Sequence, residues 1–222
     1  MTMEPDTSKA APRVGAKPHP TAPIRLHRAA LSGHCHRVEL FLSLLSLPFE
    51  LVDVDLRRGE QKSPAYLALH PFGQVPMIQD GETAVWDSNA ILVYLATRYG
   101  DERWLPRDPA GAAAVQAWLS VAAGPLAFGP AAARLVALFK APFDLEDVSR
   151  RAAGLLTVMD RTLGRSAFLA AEHPTLADIA NYAYVAHAPE GKVSLEPYPQ
   201  VRAWLARIEA LPRFVPMQRT PA

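Results

Sequence analysis

The stretch between residues 72 and 92 constrains the fold of this chain more than any other, because it predicts a hairpin followed at once by a helix. Two short apolar segments, residues 77–79 and 84–86, flank Asp80-Gly81, a dipeptide typical of tight hairpin turns. Ser88 stands where a helix over residues 88–99 is predicted to begin. The unpaired N–H groups of a helix start attract carboxylates. The edge of a strand beside the N-terminus of a helix is therefore suited to bind a short peptide that has a free α-amino acid group at one end.

The residues before this stretch predict an α/β arrangement. A strand over residues 24–27 is followed by a helix over residues 34–47, where apolar side chains recur at helical spacing until Pro48. Residues 49–56 alternate apolar and acidic side chains, which predicts a second strand, and Pro64–Leu69 predicts a short helix or turn. The predicted order β-α-β-α-β-β-α is a thioredoxin-like layout with one parallel strand pair and one hairpin.

After Gly100 the spacing of apolar residues changes, and from Pro109 onward nearly the whole sequence predicts helix. Pro109–Ala123 is rich in alanine, and residues 144–163 are amphipathic. Thr175-Leu176-Ala177-Asp178 resembles a capping box that opens a helix over residues 176–187. One further amphipathic face is formed by Val201, Trp204, Leu205 and Ile208.

These patterns divide the chain into three predicted parts. We expect a disordered leader without a signal-peptide pattern over residues 1–23, an α/β domain over residues 24–101 and an all-α domain over residues 109–217.

The composition limits the partners of the protein. The formal net charge is +1 with acidic and basic residues interleaved, which argues against a nucleic-acid-binding surface. Cys35 is the single cysteine, so no internal disulfide can form and a reducing compartment is indicated. No apolar run is predicted to reach transmembrane length. We therefore expect a cytoplasmic protein that binds neither nucleic acid nor membrane.

This part of the chain contains three motifs: the Val75-Pro76 step, the Asp87-Ser88 pair and the helix start Ser88-Asn89-Ala90-Ile91-Leu92. In this order and spacing, they resemble the glutathione S-transferase superfamily. The likeness extends from about residue 24 to residue 217, and the capping box at Thr175 resembles the C-terminal half of that family. The resemblance implies a transferase of alkyl or aryl groups that serves detoxification. It also implies glutathione as co-substrate, a small electrophilic substrate, a cis Pro76 and a homodimer that pairs the α/β domain of one subunit with the helical domain of the other.

Ser32 lies between the first predicted strand and the first predicted helix, where the reactive group of a thioredoxin-like domain belongs. A free thiol has a pKa of about 8.5, so a thiolate at neutral pH needs a stabilising donor. Ser32 can supply a hydroxyl donor at the helix start, and it matches the catalytic serine of the serine-type classes, which stands six residues before a valine, here Val38. The alternative role of Ser32 is a plain helix N-cap.

Cys35 is the rival nucleophile, because a thiol near a helix N-terminus can be acidified. It occupies the second, more buried position of a C-x-x-C-like pattern whose first position holds Ser32, so a structural cysteine is the favoured interpretation. His34 and His36 are two residues apart on a helix and face different directions. We therefore predict no metal site, and His34 remains a candidate polar wall of the site.

The resemblance implies which residues hold glutathione. Gln61 and Lys62 would meet the glycine carboxylate, with solvated surface as the other interpretation of Lys62. Val75, held by Pro76, would pair its backbone with the cysteinyl unit, while Asp87 and Ser88 would hold the γ-glutamyl amine and carboxylate.

The electrophile pocket is expected beside a helix over residues 122–138 that Pro125 and Pro130 kink or break, with Phe128 and Arg134 as its walls. Three functions stay open from the sequence: a glutathione transferase that uses Ser32, a glutathione-dependent disulfide or peroxide reductase with the same site, and a non-catalytic ligand-binding protein of the same fold.

Overall fold

The computed structural model describes residues 18–220, so most of the predicted leader lies outside the described residues. The first half follows the predicted order. Its strands are β1 Ile24–Arg28, β2 Phe49–Asp53, β3 Met77–Asp80 and β4 Thr83–Trp86. Its helices are α1 Gly33–Leu44, α2 Pro64–Leu69 and α3 Ser88–Arg98, with a short 3₁₀ turn at Glu60–Lys62.

The four strands form one mixed sheet in the order β2-β1-β3-β4. β1 pairs in parallel with β2 because α1 carries the chain across, whereas β3 runs antiparallel to both β1 and β4. Neighbouring side chains of β3 serve opposite faces: Ile78 joins the core that contains α1 and α3, while Met77 packs with Tyr66 of α2. The predicted thioredoxin-like layout is confirmed.

Two predicted elements are longer than the observed ones. The predicted helix over residues 34–47 ends at Leu44, because Ser46 takes a left-handed backbone conformation (φ 58) before Pro48. The predicted strand over residues 49–56 ends at Asp53. There the carboxylate of Asp55 accepts hydrogen bonds from the backbone N–H groups of Arg57 and Arg58, which turns the chain away from the sheet.

The second half is helical, as predicted. The helices are α4 Pro109–Ala123, α5 Ala132–Phe139, α6 Leu145–Leu163, α7 Leu176–Ala186 and α8 Pro199–Glu209, with a 3₁₀ turn at Ala188–Gly191. α7 is the central helix, since it contacts α1 and α3 of the first half as well as α4 and α8. The buried apolar side chains of both halves form one continuous core. The domain limits 24–101 and 109–217 stay a prediction.

The capping box predicted at Thr175 fixes the start of α7. The buried carboxylate of Asp178 accepts hydrogen bonds from the backbone N–H of Thr175 and Leu169 and from the indole N–H of Trp204, each at 2.9 Å. Burial raises the pKa of this carboxyl group, and these donors oppose the rise. The box therefore also ties α8 to the central helix.

The predicted interruption of the helical pattern between residues 122 and 138 is confirmed. α4 ends at Gly124, a wide π-helical turn at Ala127–Ala131 contains Pro130, and α5 follows. A Cβ atom on Gly129 would stand 3.0 Å from the backbone nitrogen of Ala152, so glycine permits the close contact of this turn with α6.

The prediction that no apolar run reaches transmembrane length is wrong. The helical run Pro109–Phe139 has 31 residues and is apolar enough to cross a membrane by length and composition alone. Leu119, Ala122 and Leu126 of this run are buried in the core that both halves share. Buried core helices of globular proteins pass the same test, so the run is weak evidence for a membrane span.

Candidate active site

Ser32 caps α1 and has a hydroxyl hydrogen to donate. Its backbone is extended, its Oγ accepts a hydrogen bond from the N–H of Cys35 at 3.3 Å, and its own N–H donates to the carbonyl oxygen of Ala29 at 3.0 Å. A hydroxyl has one hydrogen and two lone pairs, so the cap bond uses a lone pair and leaves the hydrogen to be donated. The Cys35 sulfur is one acceptor within its reach, since a side-chain hydrogen bond from Ser32 opposes the rise in the pKa of Cys35. The N-cap role and the catalytic role are therefore compatible.

The second half of the chain reaches the start of α1 through Tyr184 of α7. A Cβ atom on Gly33 would stand 2.8 Å from the ring of Tyr184, so this glycine lets α7 approach closely. The same ring meets His34 edge to face, with 4.9 Å between the ring centroids. The turn that carries Ser32 is thus supported by both halves of the chain.

A cleft of about 130 Å³ lies at the meeting point of α1, α3 and the segment before β3. Four of the predicted site residues line it together, namely Val75, Pro76, Asp87 and Ser88, and the Val75–Pro76 peptide bond is cis. His34 lines it as well, and its role as a polar wall of the site stays a prediction. Ser32, Gln61 and Lys62 are not among its lining residues.

The start of α3 differs from the sequence prediction in one respect. Asp87, not Ser88, is the N-cap: its Oδ1 accepts hydrogen bonds from the N–H groups of Asn89 at 3.0 Å and Ala90 at 2.9 Å. Asp87 adopts φ 70, an uncommon conformation for a residue other than glycine. Its carboxylate is exposed, whereas the side chain of Ser88 is buried behind it.

Sequence reasoning missed Arg37. This α1 residue is 1% exposed, and its Nη1 donates to Ser88 Oγ at 3.2 Å and to Asn89 Oδ1 at 2.8 Å. Its Nε and Nη2 have no hydrogen-bond partner among the described residues. Burial lowers the pKa of this guanidinium to about 10, which still leaves it charged at neutral pH. The sequence contained one signal of this burial. Arg37 and Phe41 are four residues apart, so they share one face of α1, and an apolar face indicates packing against the core.

Sequence reasoning also missed an aromatic wall. The buried His70 stacks between Tyr66 and Trp86, with 6.2 Å and 5.4 Å between ring centroids. Burial lowers the pKa of His70 and favours the neutral ring. His70, Gln74 and Trp86 all line the cleft. The signal was the cluster of aromatic and histidine residues on either side of the Val75-Pro76 step.

Gln61 and Lys62 have local partners. The Nε2 of Gln61 donates to the carbonyl oxygen of Leu56 at 3.4 Å, while its Oε1 is buried without a partner among the described residues. The exposed Lys62 donates from Nζ to the carbonyl oxygen of Phe72 at 2.8 Å and so supports the loop before β3. Their predicted contact with the glycine carboxylate stays a prediction.

Cys35 has the properties of a structural cysteine. It is 1% exposed, its Sγ accepts a hydrogen bond from the N–H of Ala29 at 3.4 Å, and burial raises its pKa to about 11. His34 and His36 point to different partners, Ser88 and the carbonyl oxygen of Val215. Within residues 18–220 no group of three or more histidine, cysteine or acidic residues is arranged to hold a metal ion.

The two predicted walls of the electrophile pocket differ. Phe128 is 55% exposed, and its place in a pocket wall stays a prediction. The prediction for Arg134 is wrong, because its side chain is buried in an ion pair with Glu190 and lies 2.6 Å from that carboxylate.

Known proteins resemble this chain in sequence and in fold. The sequence model of the glutathione S-transferase N-terminal domain matches residues 31–98, and that of the C-terminal domain matches residues 128–212. Glutathione S-transferase 3 of Zea mays is 36% identical over 208 residues, which span 87% of this chain and 92% of that relative. The chain belongs to the glutathione S-transferase superfamily. It is accordingly a transferase that uses glutathione as co-substrate.

Solved glutathione S-transferases agree with the whole fold. The enzyme from Pseudomonas fluorescens has a TM-score of 0.84 and 33% identity, over 89% of this chain and 100% of that one. A glutathione transferase homologue from Drosophila mojavensis, solved with bound glutathione, has a TM-score of 0.77 and 25% identity, over 86% of this chain and 89% of that one. The thioredoxin-like half and the helical half are those of the superfamily.

Proposed function

We propose that Ser32 stabilises the thiolate of glutathione for attack on an electrophilic carbon. The observation that carries the proposal is the N-cap geometry, in which the cap bond uses only a lone pair of Ser32 Oγ, two residues before His34 of the cleft. The hydroxyl hydrogen, which reaches the Cys35 sulfur in the ligand-free chain, can turn to the glutathione sulfur. The thiol gives its proton to solvent, the sulfur forms a bond to carbon, and the leaving group departs with its electron pair. The hydroxyl and the N–H groups of the helix start both favour the anion.

The cleft suits the peptide ends of glutathione. The exposed Asp87 carboxylate would hold the γ-glutamyl amine, and Ser88 with the charged Arg37 behind it would hold the γ-glutamyl carboxylate. Val75, beside Pro76, would pair its backbone with the cysteinyl unit as one strand pairs with another. Glutathione in the Drosophila mojavensis homologue supports the presence of such a site in this fold.

Gln61 and Lys62 would complete the site at the glycine end of glutathione. The Nε2 of Gln61, which uses one of its two hydrogens on the Leu56 carbonyl oxygen, and the Lys62 ammonium are the donors that the 3₁₀ turn Glu60–Lys62 offers to a carboxylate. Lys62 would have to share its hydrogen bonds between the Phe72 carbonyl and the ligand, which three ammonium hydrogens permit.

The site gives no support to a reductase that uses a cysteine nucleophile, because Cys35 is buried and burial raises its pKa to about 11. Reduction of a peroxide or disulfide by the glutathione thiolate itself would use the same Ser32. The acceptor substrate therefore distinguishes the two activities, and the site that holds glutathione is common to them.

We also propose that the protein is a cytoplasmic homodimer. Phe72 is 62% exposed on the α/β half, and a groove of about 500 Å³ opens between α3 and α4 beside Val93, Tyr94 and Leu119. An exposed aromatic side chain on one half and an open groove reaching the other suit a twofold pairing, in which each half meets the other half of its partner. The single cysteine, buried and free, agrees with a reducing compartment.

Titration with glutathione tests the proposal. We expect heat of binding in calorimetry and a rise in melting temperature at millimolar glutathione, because ligand that binds the folded state stabilises it by mass action. Turnover with an aryl halide and with a hydroperoxide then separates conjugation from reduction. No heat and no melting shift would overturn the site assignment.

A further inference from the structure

The carboxylate of Glu190, at the 3₁₀ turn after α7, accepts hydrogen bonds from three residues. Oε2 accepts from Arg134 Nε at 2.6 Å and from Thr220 Oγ1 at 2.7 Å, while Oε1 accepts from His187 Nδ1 at 2.7 Å and from the Thr220 N–H at 3.1 Å. Burial opposes ionisation of this group, but the bonds from Thr220, Arg134 and His187 outweigh it and hold the pKa of Glu190 at about 2. The carboxylate is therefore ionised and held from several sides.

The local sequence brings this carboxylate against α5. A Cβ atom on Gly191 would stand 2.6 Å from the backbone nitrogen of Arg134, so glycine allows the turn to touch the helix. The side chains of Arg134 and Glu190 are then both almost fully buried. A buried arginine of this kind is fixed by its partners, because moving away would leave a charge unpaired.

Arg134 links this cluster to the turn that carries Ser32. Its Nη1 donates to the carbonyl oxygen of Leu31 at 2.7 Å, and Leu31 directly precedes Ser32. On the other side of the same turn, the N–H of Ser32 donates to the carbonyl oxygen of Ala29. The backbone of this turn is thus held by a side chain from the helical half of the chain.

The last described residues complete the connection. We call residues 213–220 the C-terminal tail. It runs along α1, where Ser43 Oγ donates to the carbonyl oxygen of Arg213 at 2.8 Å and His36 Nε2 donates to that of Val215 at 2.8 Å. Met217 is buried, and Thr220 then reaches Glu190. The tail therefore follows α1 towards the Ser32 turn and ends on the cluster that supports it.

We infer that the C-terminal tail positions the catalytic turn, with Thr220 acting on Ser32 through Glu190, Arg134 and the carbonyl group of Leu31. Two bonds from Thr220 restrict the rotamer of Glu190, which restricts the guanidinium of Arg134 and hence the backbone next to Ser32. A hydrogen bond to a thiolate is sensitive to small displacements of its donor. Thr220 is accordingly a positioning residue, and this inference rests on the proposed role of Ser32.

Thr220→Val tests the inference, because it removes the Oγ1 bond and keeps the shape of the side chain. Ser43→Ala is the matched control, since it removes one tail hydrogen bond at the opposite end of α1. The readouts are kcat, KM for glutathione, and the pKa of the bound thiol, taken from the pH dependence of the thiolate's ultraviolet absorbance. We expect Thr220→Val to lower kcat by about three- to tenfold and to raise the thiol pKa, with KM within about twofold.

Two further variants separate positioning from folding. Thr220→Ser restores the hydroxyl and should restore both kcat and the thiol pKa. A chain that ends at Gln218 loses both Thr220 bonds and should show a larger shift in the thiol pKa than Thr220→Val. Ser43→Ala should leave the thiol pKa and kcat at the values of the unmodified chain.

The outcomes distinguish this inference from the proposed function. If Ser32→Ala loses turnover while Thr220→Val and the shortened chain keep the normal thiol pKa and kcat, the tail does not position the turn and the inference alone fails. Equal losses in Thr220→Val and Ser43→Ala would mean that the tail acts through general stability, which also overturns it. If Ser32→Ala is silent, the proposed function fails, and the inference fails with it.

Discussion

Arg37 of α1 donates a hydrogen bond to Ser88 Oγ of α3 across 3.2 Å, in the interior between the two helices. The same nitrogen also donates to Asn89 Oδ1, while the other two nitrogens of the guanidinium have no partner among the described residues. A buried charge with an incomplete set of hydrogen bonds is stabilised by a nearby anion. The start of α3 therefore offers both a hydroxyl and a positive charge behind it to a ligand carboxylate.

Ser88→Ala should weaken glutathione binding by about tenfold or more, because it removes a hydrogen bond to a charged group. The pKa of the bound thiol should stay unchanged, since Ser88 is assigned to the far end of the peptide. Calorimetry and the thiolate absorbance measure the two quantities separately. Ser194→Ala, an exposed serine of the helical half, is the control. Normal binding together with lost thiolate absorbance would require the roles of Ser88 and Ser32 to be exchanged.

Ser32→Ala should keep glutathione affinity within a few-fold and lose about ten- to a hundredfold in turnover, the effect of one charge-assisted hydrogen bond. It also removes the N-cap of α1, which should cost about 1 kcal/mol of stability. Ser63→Ala is a matched control for the cap, because Ser63 caps α2 with a bond of the same 3.3 Å length. It should lose comparable stability and keep turnover.

Cys35→Ser should leave conjugation nearly intact, because the buried thiol of Cys35 serves packing in this proposal. Steady-state conjugation of an aryl halide by Cys35→Ser and Ser32→Ala, compared side by side, decides between the two residues. The proposal is falsified if Cys35→Ser abolishes activity while Ser32→Ala is silent, which would make the protein a cysteine-type redox enzyme.

The parts of the fold that the sequence predicted well are specified by short-range signals. The hairpin of β3 and β4 follows from Asp80-Gly81 between two apolar segments, and the start of α7 follows from the capping box of Thr175 and Asp178. In each case the determining residues lie within a few positions of one another. The cap of α3 was predicted less accurately, since Asp87 and Ser88 are both good capping residues. The backbone conformation of Asp87 and the two hydrogen bonds that its carboxylate accepts distinguish them.

Side chains that meet across long sequence separations could not be predicted. Arg134 was expected in a pocket wall, yet it pairs with Glu190, which is 56 residues away in sequence. Similarly, Arg37 meets Ser88 across 51 residues. The spacing of apolar residues along the sequence does not predict such contacts, because they depend on how the helices pack against one another. By contrast, Val75 and Pro76, which line the cleft, were named from their local motif.

Phe72→Asp should convert a homodimer to monomer, because it places a charge on the most exposed aromatic side chain of the described residues. Sedimentation equilibrium at micromolar concentration measures the change. Phe143→Asp, on an exposed phenylalanine between α5 and α6, is the control and should leave the dimer intact. A clean monomer for the unmodified chain would contradict the proposed dimer.

His36 should make the protein less stable as the pH falls from 6.5 towards 4. Burial lowers the pKa of His36 from 6.5 to about 4, so in this interval the unfolded chain binds a proton that the folded chain does not. Unfolding then takes up protons, and the free energy of unfolding decreases as the pH decreases. His36→Gln keeps a donor for the carbonyl oxygen of Val215 but cannot titrate. It should therefore reduce the pH dependence of the free energy of unfolding, measured by urea denaturation across this interval.

His173→Gln is the control, because it changes an exposed histidine, and it should leave the pH dependence of the free energy of unfolding as it is. If His36→Gln kept the full loss of stability on acidification, His36 would not be its source.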